Sequence, residues 1–393
     1  MTFVNFEDAR RHVPDELAFE PVALRDCPPG ALQPFLKRLA RLNGPVGIMR
    51  MVRDVASLTE LSFRELPAVL ERIGADAMIV DQAELAGGPV ATALGHPFAT
   101  VANALPVNRE PLVPPPFVPW SYDASPRGAW RNRGGYRVAD WIVRPMTAVL
   151  EREAGRLGLS GFHRDEDTWS PTCQVSQCVR GLDFPRTELP PHFHYVGPLR
   201  GPDKPLDFEL PEAVVTGERP LVFCSFGTLQ GSRAGLFRAV AVAAADLDVT
   251  LLLAHGGLLD EAEARRLPGK PIVRPYVPQR AVLARAAAAV THAGFNTVMD
   301  ALSFGVPMVA LPIAFEQPAT GARLERAGAA VVLQRRRTKR RIREALRAVL
   351  EQPIYRGGAG RLAAEIAEAG GVKRAADLVE AILPGTGRGT ATR

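Results

Sequence analysis

The sequence predicts an α/β protein with two parallel-sheet domains that face each other across a cleft. The chain has 393 residues, enough for two domains of ordinary size. Hydrophobic residues make up 47% and charged residues 23%, the balance of a globular protein with a substantial core. Short apolar runs alternate with helical stretches in both halves. This alternation indicates parallel βαβ units covered by helices on both faces.

In the first half, short apolar runs predict strands and periodic stretches predict helices. Apolar residues recur at spacings of three and four between residues 45 and 73, as on one face of a helix. Residues 106–120 are rich in proline, which excludes a regular element there. The predicted elements are strands at 2–4, 77–80 and 98–101, and helices at 45–73 and 139–157.

In the second half the alternation is more regular. A linker at residues 201–219 contains prolines and glycines that break any element, and it separates a first domain at 1–200 from a second at 220–393 with a terminal helix. Ligands of open α/β sheets bind beyond the carboxyl ends of the strands, so polar residues there are candidates for a site. The predicted elements are strands at 221–224, 249–253, 272–274, 288–291 and 308–311, and helices at 236–245, 280–286 and 297–304.

Charge and cysteine content exclude several classes of protein. The net charge is +6, and a basic run at residues 335–341 has no interleaved aromatics and no nucleic-acid-binding motif beside it. No apolar stretch is long enough to span a membrane, and the first residues show no secretory signal. We therefore expect a cytoplasmic protein with no metal, no cofactor and no nucleic-acid partner. The cysteines, which show no zinc-ligand spacing and which we expect to be reduced, are Cys27, Cys173, Cys178 and Cys224.

The most informative motif lies where a predicted strand ends at Thr291 and a loop leads directly into a helix. A helix start offers unpaired N–H groups and a positive dipole end, which suit a diphosphate. Gly294 permits close approach of a ligand to the backbone. His292, Asn296 and Thr297 add side-chain donors at the same place.

Asp300 follows Asn296 by four residues and therefore lies on the same face of the predicted helix, where it could accept hydrogen bonds from a ribose diol. Each feature has a simpler interpretation when it is taken alone. Asn296 or Thr297 could cap the helix, His292 could be an ordinary loop histidine, and Asp300 could complement the dipole. The ordered set is what indicates a nucleotide site.

This set resembles the donor-binding signature of family 1 nucleotide-sugar glycosyltransferases, which have two Rossmann-like domains in the GT-B arrangement. Tyr276 and Asp300 stand where Trp and Glu are commoner in that family. Residues 223–228 resemble the segment that opens the second domain of the family and faces the phosphates, with Ser225 and Thr228 as hydroxyl donors. The resemblance implies that Tyr276 stacks on uracil, that Gln279 holds the base, that His292, Gly294, Asn296 and Thr297 hold the phosphates, that Asp300 binds the ribose, and that Glu316 and Gln317 bind the sugar hydroxyls.

A narrower resemblance is to bacterial zeaxanthin glucosyltransferases. It implies UDP-glucose as donor, a hydroxylated carotenoid as acceptor, and metal-free inverting transfer. The matching segments are residues 193–198, 291–297, 314–319, 370–371 and 374–378.

On the acceptor side, the resemblance implies that Asp81 orients a histidine that removes the proton of the acceptor hydroxyl. The chain opens at residues 2–4, which resemble the second strand of the family, so we expect its first strand, first helix and catalytic histidine to be missing here. Phe117 and Trp120 could line an apolar acceptor channel, or they could pack as ordinary loop residues. With the basic run, the same loop predicts peripheral contact with the cytoplasmic face of the membrane.

Three functions remain open on the sequence alone. The first is glucose transfer to a carotenoid. The second is transfer to another lipophilic acceptor, such as a macrolide, a sterol or another aglycone. The third is nucleotide-sugar binding without catalysis, because the general-base histidine is missing.

Overall fold

A computed structural model describes residues 1–40, 44–201, 210–227, 234–257 and 259–383. It is a mixed α/β structure in which every paired strand of the described residues is parallel to its neighbours. The predicted alternation of strands and helices is confirmed in both halves, and residues 106–120 are irregular as expected.

The elements of the first half end with the strand that precedes the predicted linker. The strands are β1 Thr2–Asn5, β2 Ala18–Pro21, β3 Met78–Asp81, β4 Phe98–Ala102, β5 Gln174–Ser176 and β6 Phe193–Tyr195. The helices are α1 Gln33–Ala40, α2 Gly44–Ile73, α3 Gly87–Leu94 and α4 Pro126–Arg156.

The elements of the second half begin with a short helix inside the predicted linker. The helices are α5 Glu212–Val215, α6 Ala234–Ala245, α7 Glu261–Arg265, α8 Gln279–Leu283, α9 Phe295–Ser303, α10 Gln317–Arg326, α11 Lys339–Glu351, α12 Pro353–Glu368 and α13 Gly371–Glu380. The strands are β7 Leu221–Ser225, β8 Thr250–Ala254, β9 Ile272–Arg274, β10 Ala286–Thr291, β11 Met308–Ala310 and β12 Ala330–Val332.

The sheet of the second half has the order β12-β11-β10-β7-β8-β9. All residues of β7 and β8 are buried, as expected for strands covered by helices on both faces. The chain fills one side of β7 with β8 and β9 and then crosses to the other side to form β10. The direction of winding therefore reverses between β7 and β10, and such a reversal opens a crevice at the carboxyl ends of the two strands.

The strands of the first half are described in two groups, β1-β2 and β3-β4-β5-β6. Among the described strands, β1 pairs with β2 alone and β3 pairs with β4 alone. The expected absence of the family's first strand and helix stays a prediction. Three residues that follow the strand ends of the second group, Asn103, Gln177 and Arg200, point toward the second half, as their contacts below show.

Helix α4 begins well before the predicted residue 139. Ser125 caps it by accepting a hydrogen bond from the Gly128 amide at 3.2 Å, and Pro126 occupies the first turn. The apolar periodicity is weak in this first part, which carries Gly134 and Gly135. Gly135 is needed because a β-carbon there would lie 2.8 Å from the Trp120 ring.

The two halves are held together by a buried charge cluster and by the end of the chain. Asp183 accepts hydrogen bonds from Arg323 of α10 at 2.7 Å and from Arg186 at 2.9 Å, and all three side chains are almost fully buried. The last helix, α13, packs through Ala375 against Val175 and its neighbours in β4 and β5. The terminal helix thus contacts the first-half sheet. The domain boundaries themselves stay a prediction.

Candidate functional site

Strand register brings together motifs that are far apart in the sequence. Thr291 at the end of β10 is level with Ser225 at the end of β7 and with Ala310 at the end of β11. The segments that follow these three strands therefore leave the same edge of the sheet. They contain Ser225, the stretch from His292 to Asp300, and the pair Glu316 and Gln317. Thr228 lies outside the described residues.

The start of α9 is arranged as an anion site. Gly294 is its N-cap, and no side chain caps the helix. The first N–H groups of a helix have no partner within it, and they carry the positive end of its dipole. Ala293, just before the cap, has a φ of +65°, a conformation that costs a non-glycine residue energy and that is concentrated at functional sites. A phosphate group is the ligand that such a start favours.

His292 is buried between two glycines. A β-carbon on Gly294 would lie 2.3 Å from Nε2 of His292, and one on Gly227 would lie 3.1 Å from the same ring. Gly294 is thus required by the packing of His292, a reason that the sequence did not indicate. Burial lowers the pKa of His292 to about 4, although a hydrogen bond with the main chain of Ser225 acts in the other direction. The imidazole is therefore neutral at pH 7.

Asp300 is the centre of a hydrogen-bonded group that joins α8 and α9. Its Oδ2 accepts from Nε2 of Gln279 at 2.8 Å, and Oε1 of Gln279 accepts from the Thr297 hydroxyl at 3.4 Å. Its Oδ1 accepts from Nε of Arg200 at 2.8 Å and lies 3.7 Å from a nitrogen of Arg280. The predicted residues Gln279, Thr297 and Asp300 are thus brought together. Their roles toward a ligand stay predictions.

Tyr276 follows β9 and is 62% exposed, so its side chain is accessible to a ligand. Its hydroxyl donates to the Gly256 carbonyl at 3.0 Å, which fixes the ring. A tryptophan could not make this bond in the same way, since its donor is an indole N–H.

Glu316 and Gln317 stand at the start of α10. Oε1 of Gln317 accepts from the amides of Ile313 and Ala314 at 2.8 Å and 2.9 Å, so this oxygen holds the loop before α10. The role of Glu316 and Gln317 toward the sugar hydroxyls stays a prediction. Burial raises the pKa of Glu316. Phe315 has a φ of +54°, a second strained residue at this edge of the sheet.

A chain of hydrogen bonds connects the donor side to Asp81 of the first half. Asp81 accepts from the Asn103 side chain, and the Asn103 carbonyl accepts from Nε2 of Gln177. The same Nε2 donates to Oδ1 of Asn296 at 2.8 Å. Burial raises the pKa of Asp81, although the Ala83 amide, which donates to it, lowers that pKa in part. Asp81 and the start of α9 therefore face the same cleft.

The two aromatic residues suggested for the acceptor side differ in their surroundings. Trp120 packs against Gly135, and the guanidinium of Arg131 lies 5.0 Å from its ring centre. These contacts are those of loop packing, and a role of Trp120 in an acceptor channel stays a prediction. Phe117 is 43% exposed and is available to a lipophilic molecule.

Sequence reasoning missed Asn103, Gln177 and Arg200. All three come soon after strands of the first half, at the carboxyl ends where ligands of α/β sheets bind. Their positions after strand ends were the available signal. The sequence could not show that they reach the second half.

Within the described ranges, no group of three or more His, Cys, Asp or Glu side chains is placed to hold a metal ion. The four cysteines are buried free thiols. None of the described helices combines the length and the apolar character needed to cross a membrane.

Comparison with known proteins relates this arrangement to enzymes that transfer sugars. Residues 172–367 match the family model described as UDP-glucoronosyl and UDP-glucosyl transferase. The zeaxanthin glucosyltransferase of Pantoea ananas is 35% identical over 386 residues, which cover 98% of this chain and 89% of that protein. The zeaxanthin glucosyltransferase of Pseudescherichia vulneris is 36% identical over 369 residues, which cover 93% of this chain and 88% of that protein.

Among solved structures, the glycotransferase of kitacinnamycin superimposes with a TM-score of 0.72 at 22% identity, covering 98% of this chain and 91% of that one. At that identity the likeness establishes the fold, which is the two-domain GT-B arrangement.

Proposed function

Because this chain belongs to the family of UDP-glucoronosyl and UDP-glucosyl transferases and is a UDP-glycosyltransferase, we propose that it moves glucose from UDP-glucose to a hydroxyl of a carotenoid. The proposal of donor and acceptor is supported by similarity to two zeaxanthin glucosyltransferases over most of their length. The observation that carries the donor side is the group around Asp300 beside the uncapped start of α9.

We assign the nucleotide to the edge formed by β7, β10 and β11. The uracil lies on the exposed ring of Tyr276, and the ribose hydroxyls donate to Asp300. The diphosphate lies at the start of α9, where the helix N–H groups and Asn296 meet it. His292 is neutral because burial keeps its pKa well below 7, and its one N–H leaves the main chain of Ser225 to donate to the diphosphate.

The chemistry we propose is an inverting displacement. The acceptor oxygen forms a bond to the anomeric carbon, and the bond from that carbon to the phosphate oxygen breaks on the opposite face. UDP leaves with the electron pair, and the start of α9 stabilises the charge that develops on it. The proton of the acceptor hydroxyl passes to a base, a step that contributes roughly 10²- to 10⁴-fold.

Asp81 is the carboxylate that, in our proposal, orients the histidine base of this proton transfer. It lies at the end of β3 and is linked to Asn296 through Asn103 and Gln177. Among the described residues, Asp81 accepts hydrogen bonds from the Asn103 side chain and the Ala83 amide, and neither partner is a histidine. This observation favours a second candidate function, namely nucleotide-sugar binding without transfer.

Product analysis tests the proposal. The protein is incubated with UDP-glucose and zeaxanthin, and extracts are examined by chromatography and mass spectrometry. A carotene hydrocarbon without hydroxyl groups is the matched control acceptor. We expect a zeaxanthin glucoside with inverted anomeric configuration by NMR, and no product from the control. If the protein binds UDP but forms no glucoside from zeaxanthin, two explanations remain: transfer to another acceptor, or nucleotide-sugar binding without transfer. Assays with a macrolide, a sterol and a phenolic aglycone as acceptors separate these two.

We also propose peripheral contact with a lipid surface, because a carotenoid acceptor is held in lipid. Phe117 is exposed, and the basic run lies at residues 335–341. Three arginines of that run already have partners within the protein. Arg337 and Arg341 donate to main-chain carbonyls, and Arg340 pairs with Glu344 at 2.8 Å. Flotation with anionic liposomes at low salt should carry the protein upward, whereas Phe117→Ser should float less. A wild-type protein that stays at the bottom at low salt contradicts this contact.

A further inference from the structure

Arg200 belongs to the first half of the chain, but its guanidinium lies among the donor residues of the second half. It follows β6 after Gly197, whose φ is +76°. Its Nε donates to Oδ1 of Asp300 at 2.8 Å. One terminal nitrogen donates to Oδ1 of Asn296 at 3.1 Å and to the Asn296 carbonyl at 3.3 Å. A single side chain therefore holds two residues that we assign to the nucleotide.

Arg200 covers the carboxylate that a ribose would have to reach. The Asp300 side chain is 7% exposed, and its other oxygen is engaged by Gln279. A ribose diol that donates to Asp300 must therefore compete with Arg200. The Arg200 side chain is itself 25% exposed, so it can turn away without unpacking a core.

The charge of the ligand gives Arg200 a second partner. UDP brings a diphosphate, and His292 brings no positive charge at neutral pH because it is buried and neutral. The start of α9 supplies only about half an elementary charge. The planar guanidinium suits phosphate oxygens, and its present bonds to Asn296 already place it beside that helix start.

On the premise of the proposed function, we propose that Arg200 is a donor-binding residue with two positions. It fills the ribose position while the donor is absent, and it contacts the diphosphate once the ribose has taken Asp300. Since Arg200 belongs to the first half and Asp300 to the second, this exchange makes the contact between the two halves depend on the donor.

Calorimetry with UDP, and competition of uridine against UDP, distinguishes the two positions. Arg200→Ala and Arg200→Gln should bind UDP roughly tenfold more weakly than the wild type, because a charge-assisted phosphate contact is lost. Both should bind uridine several-fold more tightly, because Arg200 then no longer competes with the ribose for Oδ1 of Asp300. Arg361→Ala removes an exposed arginine from α12 and should leave both affinities unchanged.

Two results would overturn the proposal. Equal changes in uridine and UDP affinity would mean that Arg200 only positions Asp300 and has no phosphate contact. Unchanged affinities in both Arg200 variants would mean that it has no role toward the donor. A wild-type protein that binds no UDP would contradict the proposed function itself, and the Arg361→Ala control would then also fail to bind.

Discussion

Burial sets the protonation state of His292, and its pH dependence can be measured. The imidazole titrates near pH 6.5 in an unfolded chain and near 4 in the fold. Between these values unfolding takes up a proton, so the free energy of unfolding falls as the pH falls. The contribution of His292 to the free energy of unfolding is fully present above about pH 6.5. It is lost progressively as the pH falls toward 4, by up to about 3 kcal/mol.

His292→Asn should remove this contribution. We expect the free energy of unfolding, from urea denaturation, to fall more between about pH 7 and about pH 5 in the wild type than in the variant. The difference between the two proteins isolates the histidine from the carboxylates that also titrate at low pH. Parallel pH profiles would show that His292 is not held neutral by the fold.

Gly294 provides a steric prediction at the same site. In Gly294→Ala the new methyl group would lie 2.3 Å from His292, so the ring must move. We expect a loss of roughly 1–3 kcal/mol in stability and at least several-fold weaker UDP binding. Gly134→Ala, in an open position of α4, is the matched control. It should stabilise the protein by about 0.5–1 kcal/mol and leave UDP binding unchanged. Wild-type UDP affinity in Gly294→Ala would contradict this packing.

The sequence was informative about His292, Asn296, Thr297 and Asp300 because they follow one another on the loop and helix after β10. Their types and order predicted a nucleotide site, and the structure brings Gln279, Thr297 and Asp300 within hydrogen-bonding distance. The sequence did not predict Arg200 or Gln177. Their contacts with Asp300 and Asn296 cross between the two halves, and no local pattern encodes such a contact.

At the level of elements, the five strands predicted in the second half agree with β7 to β11 within a residue or two, whereas β12 was not predicted. Strands such as β7 and β10 are continuous apolar runs because helices cover both faces of the sheet. The start of α4 was not predictable from periodicity, since glycines interrupt its apolar face. The packing of α13 against the first-half sheet was also not predictable. An amphipathic pattern shows that one face of a helix is buried, but it does not show which element covers that face.

The buried cluster around Asp183 links α10 to the first half, and its removal should be costly. Burial would raise the pKa of Asp183, but Arg323 and Arg186 outweigh it and lower that pKa to about 2. Asp183→Asn leaves these two guanidiniums buried without their carboxylate. We expect a loss of roughly 3–5 kcal/mol in the free energy of unfolding, measured by chemical denaturation.

An exposed ion pair is the control for this cluster. Glu261 and Arg265 form an i,i+4 pair on α7, and both side chains are more than two thirds exposed. Glu261→Gln should change stability by no more than about 0.5 kcal/mol. Similar effects of Asp183→Asn and Glu261→Gln would show that the cluster does not hold the two halves together.

For the whole molecule, the fold places polar residues of both sheets on the two sides of one cleft. Ser225, Thr291 and Ala310 are level at the edge of one sheet, and Asp81 ends a strand of the other. The hydrogen bonds through Gln177 show that these two edges meet. A donor in the second half and an acceptor held near Asp81 would therefore share the cleft.

The account depends most on the assignment of the UDP site, and calorimetry of UDP binding tests it most directly. The proteins are the wild type, His292→Ala and Asp300→Ala, with Asp377→Ala on the exposed face of α13 as the charge control. Loss of a charged or charge-assisted contact costs about 1.5–3 kcal/mol, so Asp300→Ala and His292→Ala should each weaken binding roughly tenfold or more. Asp377→Ala should bind as the wild type does. If UDP binds the wild type and both site variants with the same affinity, the nucleotide does not lie at the start of α9 and the central claim is wrong.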